Sequence, residues 1–233
     1  MSQFAHTLNH IAIIPDGNRR WAASQKRSIW GGYKKGAAQF QSIMRSVFNR
    51  QIRYLTFWAA SRSNLEKRSK QEVQLLIKLL RSYIKDMLAS DELEEKQISV
   101  NFQGKGLKLS NNKELQDLAA QLEEKTKGFQ KHVLTILFGY DGKEEMLSAA
   151  ANMQKLDKLG EEELRRQLWT GALPDVDLVI RTGDEPHNSS GFMMWHTAES
   201  ELYFSDRLWP AFDEAELDRA LASYTTRRRK MGA

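Results

Sequence analysis

The sequence predicts an α/β fold, a single domain with a mainly parallel central sheet flanked by helices. Five apolar, β-rich runs lie at 10–14, 53–58, 98–102, 133–138 and 176–180. Stretches of helical periodicity separate them, and this alternation is typical of parallel sheets. We find no internal repeat and no low-complexity linker, so we expect one domain over residues 1–233.

The first predicted strand ends in a turn that is followed at once by two cations and a tryptophan. The residues are Asp16, Gly17, Asn18, Arg19, Arg20 and Trp21. Glycine and asparagine tolerate positive φ, so the turn itself is ordinary. Ligands of open α/β sheets bind beyond the carboxyl ends of strands, and helix N-termini with arginines attract anions. The stretch therefore predicts a phosphate site beside a carboxylate.

The helical stretches are 34–50, 70–88, 112–129, 142–156 and 161–169. The second carries one broad apolar stripe, formed by Leu75, Leu76, Leu79, Leu80, Tyr83 and Ile84. Such a stripe most simply faces the core or a partner. If the substrate is a long hydrocarbon, the same stripe would wall a tunnel.

Two more polar clusters follow later strands. The second strand is followed by Ser61, Arg62, Ser63 and Asn64, which alternatively form a helix-capping loop. The fifth strand is followed by Arg181, His187, Ser189 and Ser190 in a glycine-containing loop suited to an anion. Neighbouring parallel strands end at one edge of a sheet, so we expect these clusters to share a rim with the first turn.

A fourth stretch places Glu199 and Glu201 just before the apolar, strand-like Leu-Tyr-Phe. Together with Asp16 these residues offer the oxygen ligands that Mg²⁺ prefers when it also binds a diphosphate. The alternative is that each glutamate is a solvated surface residue.

Composition limits the functional classes. The chain has no cysteine, which excludes disulfides, thiolate metal sites and cysteine nucleophiles. No basic-then-apolar leader and no apolar run of roughly 18 residues is present, so we expect a cytoplasmic protein with at most a peripheral membrane contact. A net charge of +5 favours anionic partners. The tail "TTRRRK" raises nucleic acid as an alternative, but no aromatic platform accompanies it, and we predict no nucleic-acid binding.

Three segments carry a resemblance: "HIAIIPDGNRRWA", "ASRSNLEKRSKQEV" and "VDLVIRTGDEPHNSSGFMMWHTAESELYFSDRLWPAFD". In order and spacing they resemble the signature regions of the cis-prenyltransferases, the undecaprenyl diphosphate synthase family. The resemblance implies a Mg²⁺-dependent transferase that extends an allylic diphosphate, such as farnesyl diphosphate, with isopentenyl diphosphate in the cis configuration. It also implies a homodimer with an apolar tunnel, a polyprenyl diphosphate product such as undecaprenyl diphosphate, and release of that product at a membrane.

The resemblance also implies roles for individual residues. Asp16 matches the essential carboxylate near the metal and the allylic diphosphate, and Glu201 matches the second metal-binding carboxylate. Asn64 matches the residue assigned to proton removal; because an amide is a poor base, we expect it to orient a diphosphate oxygen that takes the proton. The remaining matches are expected to bind diphosphate. Residues 17–21 match those that bind the allylic diphosphate, and Ser61, Arg62 and Ser63 lie beside Asn64 in the next block. Arg181, with Ser189 or Ser190, matches the loop that binds isopentenyl diphosphate.

Several positions depart from the family pattern. Ile29 and Tyr33 stand where an arginine and a histidine are usual, and Arg27 or Lys26 could supply the charge instead. The usual Glu-Asn-Trp reads Ser-Asn-Leu at 63–65, and either Lys67 or Arg68 stands for the next arginine. His187 takes the place of another arginine, and "GYDGKEE" replaces the usual Asn-Tyr-Gly-Gly. The details of diphosphate binding are therefore open.

Two alternatives share the fold. One is a non-catalytic subunit; such subunits typically lose the aspartate and arginines of the first motif, which this chain keeps. The other is a synthase of a short or branched terpenoid diphosphate, and it stays open because product length depends on how deep the tunnel runs.

Overall fold

One twisted sheet of six parallel strands organises the chain, in the order β3-β4-β2-β1-β5-β6. The structure is a computed structural model that describes residues 8–154, 156 and 159–226. The strands are β1 (His10–Ile14), β2 (Tyr54–Ser61), β3 (Ile98–Gln103), β4 (His132–Tyr140), β5 (Leu178–Arg181) and β6 (Glu201–Phe204). The predicted α/β class is confirmed, with every neighbouring pair parallel.

All five predicted strands are present, and the strand-like run after Ser200 adds a sixth at the sheet edge. β2 and β4 extend three and two residues respectively beyond the predicted C-terminal ends, at 58 and 138, as far as Ser61 and Tyr140. β1 is buried along its whole length because β2 and β5 flank it and helices cover it. Its apolar run reads as an interior parallel strand for that reason.

Helices cover the sheet and connect its strands. They are α1 (Asn18–Ser24), α2 (Ile29–Asn49), α3 (Arg62–Lys67), α4 (Lys70–Ala89), α5 (Glu92–Glu95), α6 (Gly106–Leu109), α7 (Lys113–Thr126), α8 (Gly142–Met153), α9 (Glu161–Gln167) and α10 (Glu214–Thr226), with a 3₁₀ turn at Trp209–Ala211. Polar side chains accept backbone N–H groups at several helix starts, including Ser28, Ser69, Asn112 and Asp141. These caps satisfy donors that a helix leaves unpaired at its first turn.

The apolar core lies on both faces of the sheet. The larger part packs β1 to β4 against α2, α4, α7 and α10, and includes Ile43, Val47 and Leu122. A smaller part on the other face includes Trp58 and Phe192. None of the described helices combines the length and the apolar character needed to cross a bilayer. The basic residues at 227–230, which suggested nucleic acid as an alternative partner, lie outside the described residues.

Candidate active site

A cleft of about 670 Å³ opens at the carboxyl edge of the sheet. Its polar lining comes largely from residues that end or follow β1, β2 and β5, as the polar clusters after the predicted strands indicate. Its polar lining consists of Asp16, Gly17, Asn18, Arg19, Arg20, Tyr33, Ser61, Ser63, Asn64, Arg68, Arg181, Glu185, Ser189 and Ser190. Most of the predicted substrate-binding residues therefore meet in one cavity.

Asp16 lies at the centre of the first polar group. It lies two residues after the end of β1, where Ile14 is paired with Arg181, and Thr182 Oγ1 donates to the Asp16 backbone carbonyl at 2.8 Å. Asp16 Oδ1 accepts the N–H of Gly17 at 2.6 Å, and Gly17 has φ of 106°, a conformation that favours glycine. The carboxylate is thus held in place by its own turn and leaves Oδ2 for cations.

Two arginines approach that oxygen. Arg181 Nη2 lies 3.2 Å and Arg20 Nη2 3.4 Å from Asp16 Oδ2. Both also contact Glu185, with Arg20 Nη1 at 3.3 Å and Arg181 Nη2 at 3.6 Å from its oxygens. Arg181 Nη1 donates to Ser189 Oγ at 2.6 Å. We call Asp16, Arg20, Arg181, Glu185 and Ser189 the Asp16 cluster.

Arg181 is the buried member of the Asp16 cluster, with a side chain only 4% exposed. Burial lowers its pKa, and the charges of Asp16 and Glu185 oppose that effect. Its Nε has no hydrogen-bond partner within the described part of the chain. Arg181 also lines the cleft, and a buried guanidinium in that position is suited to binding an anion.

Asn64 and Ser61 form a capping box at the start of α3. Ser61 Oγ accepts the Asn64 N–H at 3.0 Å, and Asn64 Oδ1 accepts the Ser61 N–H at 3.2 Å. The expected capping loop and the expected site residues are therefore the same residues. Because Oδ1 is engaged, Asn64 has its side-chain NH₂ to offer as a donor, which fits orientation of a diphosphate oxygen better than proton abstraction.

A second polar group surrounds Tyr33 on α2. Its hydroxyl accepts from Arg68 Nη1 at 2.7 Å and donates to Glu72 Oε1 at 3.3 Å. Arg19 Nη1 lies 3.8 Å from the same Glu72 oxygen. Burial raises the pKa of Tyr33 while Arg68 acts to lower it, so the hydroxyl keeps its proton. We call Arg19, Tyr33, Arg68 and Glu72 the Tyr33 cluster.

The inner end of the cleft is apolar. Its apolar lining includes Phe40, Phe57, Leu76, Leu79, Leu80, Tyr83, Ile136, Phe138 and Trp209. Phe40 contacts Phe57 and Tyr83, with ring centroids 4.2 and 5.1 Å apart. Four of the six residues of the predicted α4 stripe therefore line the cleft, whereas Leu75 and Ile84 do not.

Four predicted site residues are not among those that line the cleft: Trp21, Arg62, His187 and Glu201. The Arg27 guanidinium lies over the Trp21 ring, with Arg27 Cζ 5.8 Å from the ring centroid. Arg62 binds Glu66 and Glu144 instead, both at 2.6 Å. Trp21 and Arg62 therefore do not line the cleft, and their expected contact with a diphosphate stays a prediction.

His187 and Glu201 are displaced for different reasons. The exposed ring of His187 contacts Ser189 Oγ through Nε2 at 3.1 Å. His187 therefore touches a residue of the cleft lining without lining the cleft itself. Glu201 begins β6 and is paired with Leu178, three residues before Arg181. That offset corresponds to roughly 10 Å along the strand. The expected convergence thus holds for Asp16, Asn64 and Arg181, and is wrong for Glu201 within one chain.

The structure also shows where the sequence alternatives lie relative to the cleft, and it adds residues that the sequence analysis missed. Arg68 lines the cleft, whereas Lys67 is exposed and does not. Ser189 and Ser190 both line it, and Ser189 is the one that contacts Arg181. Glu185 and Glu72 were missed, although both lie within segments that carry the resemblance, because a glutamate in a loop or on a helix carries no local signal that it faces an arginine.

The carboxylates of the cleft lining belong to Asp16 and Glu185. Within the described residues, no group of three or more histidine or acidic side chains converges to hold a metal. Mg²⁺ characteristically binds through one or two carboxylates together with substrate phosphates and water. The donor set therefore fits a magnesium site that is completed by a diphosphate.

Comparison with known proteins agrees with this site. The family described as "Putative undecaprenyl diphosphate synthase" matches residues 14–232. The "Isoprenyl transferase" of Aquifex pyrophilus is 37% identical over 228 residues, which cover 96% of this chain and 95% of the relative. The "Tritrans,polycis-undecaprenyl-diphosphate synthase (GGDP specific)" of Sulfolobus acidocaldarius is 34% identical over 232 residues, covering 96% and 87%.

Solved structures show the same architecture. Lavandulyl diphosphate synthase from Lavandula x intermedia, in complex with dimethylallyl diphosphate, superposes with a TM-score of 0.90 at 30% identity, covering 97% of this chain and 98% of that one. A probable undecaprenyl diphosphate synthase from Campylobacter jejuni gives 0.77 at 27% identity, covering both chains completely.

The fold and the site define an α/β protein with a parallel sheet, and the cleft at the carboxyl edge of that sheet is lined by arginines, carboxylates and apolar side chains. Nearly full-length similarity then makes the assignment specific. The chain belongs to the undecaprenyl diphosphate synthase family, the cis-prenyltransferases, and is a prenyltransferase.

Proposed function

We propose that this enzyme condenses isopentenyl diphosphate with an allylic diphosphate, depends on Mg²⁺, and makes a polyprenyl diphosphate such as undecaprenyl diphosphate. The observation that carries the proposal is one cleft with two arginine-rich clusters at its polar end and an apolar inner end. Two anionic head groups and one hydrocarbon need such a division.

The allylic diphosphate is proposed to lie against the N-terminus of α1 and the arginines beside it, Arg19, Arg20 and Arg68. Isopentenyl diphosphate is proposed to bind Arg181, Ser189 and Ser190. Arginine suits both sites because its fork of N–H donors pairs with phosphate oxygens in a defined geometry. In the free enzyme Arg19, Arg20 and Arg181 contact carboxylates, and an entering diphosphate would replace part of those contacts. Arg68 contacts the Tyr33 hydroxyl instead.

Asp16, with Glu185 beside it, would hold the Mg²⁺. When bound, the ion supplies positive charge against the departing diphosphate, the role expected of a metal at a leaving group. Arg20 and Arg181 provide fixed positive charge in the same place. Asp16 keeps both arginines aligned through Oδ2 while its Oδ1 is fixed by Gly17.

The proposed reaction breaks the allylic C–O bond, and the electron pair leaves with diphosphate. The double bond of isopentenyl diphosphate attacks the electron-poor allylic carbon, forming a C–C bond, and one proton leaves to form the new cis double bond. Asn64, through its NH₂ group, would orient the diphosphate oxygen that takes this proton. The protein thus contributes charge, orientation and exclusion of water.

The hydrocarbon is proposed to extend along the apolar inner end, past α4, as the tunnel that the sequence resemblance implies. Phe40, Phe57 and Tyr83 line that end, and the Phe40 ring contacts the other two. These bulky rings in the apolar lining favour a second candidate, a synthase of a shorter or branched diphosphate. The likeness to lavandulyl diphosphate synthase supports keeping that candidate.

We also propose a homodimer. β6 lies at the edge of the described sheet, and its Leu202 and Phe204 side chains are exposed. Apolar side chains on an edge strand favour burial against a second copy. In such a dimer Glu201 would serve the metal of the partner subunit rather than that of its own chain. Light scattering during size-exclusion chromatography measures the mass and tests this proposal.

A cytoplasmic location with a peripheral membrane contact for product release stays a prediction of the sequence, as does the absence of nucleic-acid binding. Flotation of the loaded enzyme with lipid vesicles would test the membrane contact. A salt-dependent gel shift with RNA would test the other, and we expect no specific shift.

The function is tested by incubating the enzyme with radiolabelled isopentenyl diphosphate and either farnesyl or geranylgeranyl diphosphate. We expect Mg²⁺-dependent incorporation into a product that chromatography separates by length, and loss of incorporation with a chelator. Absence of product with every primer would refute the proposed reaction. A short or branched product would establish the second candidate instead.

A further inference from the structure

Glu72 is a carboxylate that contacts Arg19 and Tyr33 of the cleft lining without lining the cleft itself, and neither the roles implied by the resemblance nor the proposed reaction uses it. Its side chain is 14% exposed and lies 3.8 Å from Arg19. It lies in the first turn of α4, where its own N–H is accepted by Ser69 Oγ at 3.2 Å. A negative charge here opposes binding of a diphosphate, so its position needs a separate explanation.

The hydrogen bonds through Tyr33 have a fixed direction. A carboxylate can only accept, and a guanidinium can only donate. The single O–H of Tyr33 therefore points to Glu72, at 3.3 Å, and its oxygen accepts from Arg68, at 2.7 Å. Hydrogen bonds in such chains polarise one another. Glu72 thus sets the orientation of the hydroxyl, and the hydroxyl sets the position of the Arg68 guanidinium.

The alternative role for Glu72 is a structural ion pair, and the contacts argue against it. Tyr33 and Arg68 both line the cleft, and the Arg68 guanidinium also lies over the Tyr33 ring, 5.8 Å from its centroid. Arg68 follows the last residue of α3 with extended backbone. No helix therefore fixes its side chain, and its position depends on what it contacts.

We propose that Glu72, acting through the Tyr33 hydroxyl, is a positioning residue that preorganises Arg68 for the allylic diphosphate. The inference rests on the proposed function, because the substrate is taken from it. Arg68 is assigned to the allylic side because Glu72 connects it to Arg19, whereas Arg181 and Ser189 belong to the Asp16 cluster. Tyr33 is therefore a working substitute for the family's usual histidine.

Because Glu72 is negatively charged, the two possible roles predict opposite changes in anion affinity when the charge is removed. If Glu72 were only a nearby negative charge, Glu72→Gln would strengthen anion binding. If it positions Arg68, the same change weakens binding even though the cleft becomes more positive. Tyr33→Phe removes the connecting hydroxyl without changing any charge and should have the same effect. We expect each variant to weaken binding about tenfold, the equivalent of one charge-assisted hydrogen bond.

The matched control is Glu92→Gln. Glu92 has similar exposure, 19%, and is paired with Arg45 at 2.8 Å on the outer surface, outside the cleft lining. It reports what the loss of a half-buried ion pair does to the whole enzyme. Calorimetry with inorganic diphosphate measures binding without turnover, and steady-state kinetics measure KM for each substrate. Thermal unfolding is recorded for all variants.

We expect Glu72→Gln and Tyr33→Phe to raise both the Kd for diphosphate and the KM for the allylic substrate, with the KM for isopentenyl diphosphate unchanged. Tighter or unchanged diphosphate binding in Glu72→Gln would overturn the inference. So would an equal rise of both KM values together with a loss of thermal stability like that of Glu92→Gln. Because calorimetry needs no turnover, failure of the proposed reaction in the wild type would be seen separately.

Discussion

Asp16→Asn is the substitution that most directly tests the site. Asparagine has nearly the same size as aspartate and can keep the hydrogen bond from the Gly17 N–H, which is 2.6 Å long. It removes the charge that Oδ2 presents to Arg181 at 3.2 Å and to Arg20 at 3.4 Å. The variant therefore separates the charge of the carboxylate from its shape.

The structure predicts a small effect on stability and a large effect on turnover. The Asp16 side chain is 41% exposed, so solvent screening limits its ion pairs to about 1 kcal/mol at most. Such a loss lowers the Tm of a domain of this size by about 2–4 °C. Arg181 retains Glu185 and Ser189 as partners. Removing one preorganised electrostatic group typically lowers kcat by about 10²–10³.

The assay is incorporation of labelled isopentenyl diphosphate at saturating Mg²⁺ and saturating substrates, with thermal unfolding measured on the same preparation. Asp206→Asn is the control, because that side chain is 82% exposed and its nearest cation, Arg207, is 4.0 Å away. We expect the control to match the wild type in both measurements. A kcat for Asp16→Asn close to the wild-type value, with the same Mg²⁺ dependence, would refute the assignment.

Three further predictions concern the loop, the core and the inner end of the cleft. A Cβ in Gly142→Ala would overlap the Gly191 carbonyl oxygen, so we expect the Ser190 loop to shift and the KM for isopentenyl diphosphate to rise in steady-state assays; an unchanged KM contradicts this. Burial lowers the pKa of His10 from 6.5 to about 4, so stability present above pH 6.5 is lost as the pH falls towards 4, by ~3 kcal/mol. Urea unfolding at about pH 7 and about pH 4.5 should show that the free energy of unfolding falls less in His10→Gln than in the wild type. Equal losses in the two proteins would refute the role of His10 in this pH dependence. Phe40→Leu removes one of the aromatic rings that line the apolar end of the cleft, so we expect chromatography to show longer products; an unchanged distribution of product lengths contradicts this.

Much of the fold could be predicted because its cause is local. Apolar runs such as 10–14 and 133–138 are too short for buried helices, and the amphipathic stretches between them require crossover helices. The edge strand β6 was expected to be strand-like but was not counted among the strands; its four residues are half-buried or exposed, unlike the mostly buried runs of the other five. The order of strands in the sheet was not predicted, because the sequence pattern of a strand does not identify its lateral neighbours.

The sequence by itself determined that Asp16, Asn64 and Arg181 would lie at one edge of the sheet. Each ends or follows a predicted strand, and parallel strands place their carboxyl ends at the same edge. The tertiary structure brings the three residues into one cleft, because β2, β1 and β5 are neighbours in the sheet. Only the tertiary structure decided which charges face each other across that edge. Arg62 is paired with Glu66 and Glu144 rather than lining the cleft. Glu201 lies opposite Leu178, three residues before Arg181 along the sheet. Glu72 and Glu185 contact Arg19 and Arg20 from elements distant in sequence. A side chain's direction depends on the packing of neighbouring elements, which local periodicity and turn chemistry do not specify.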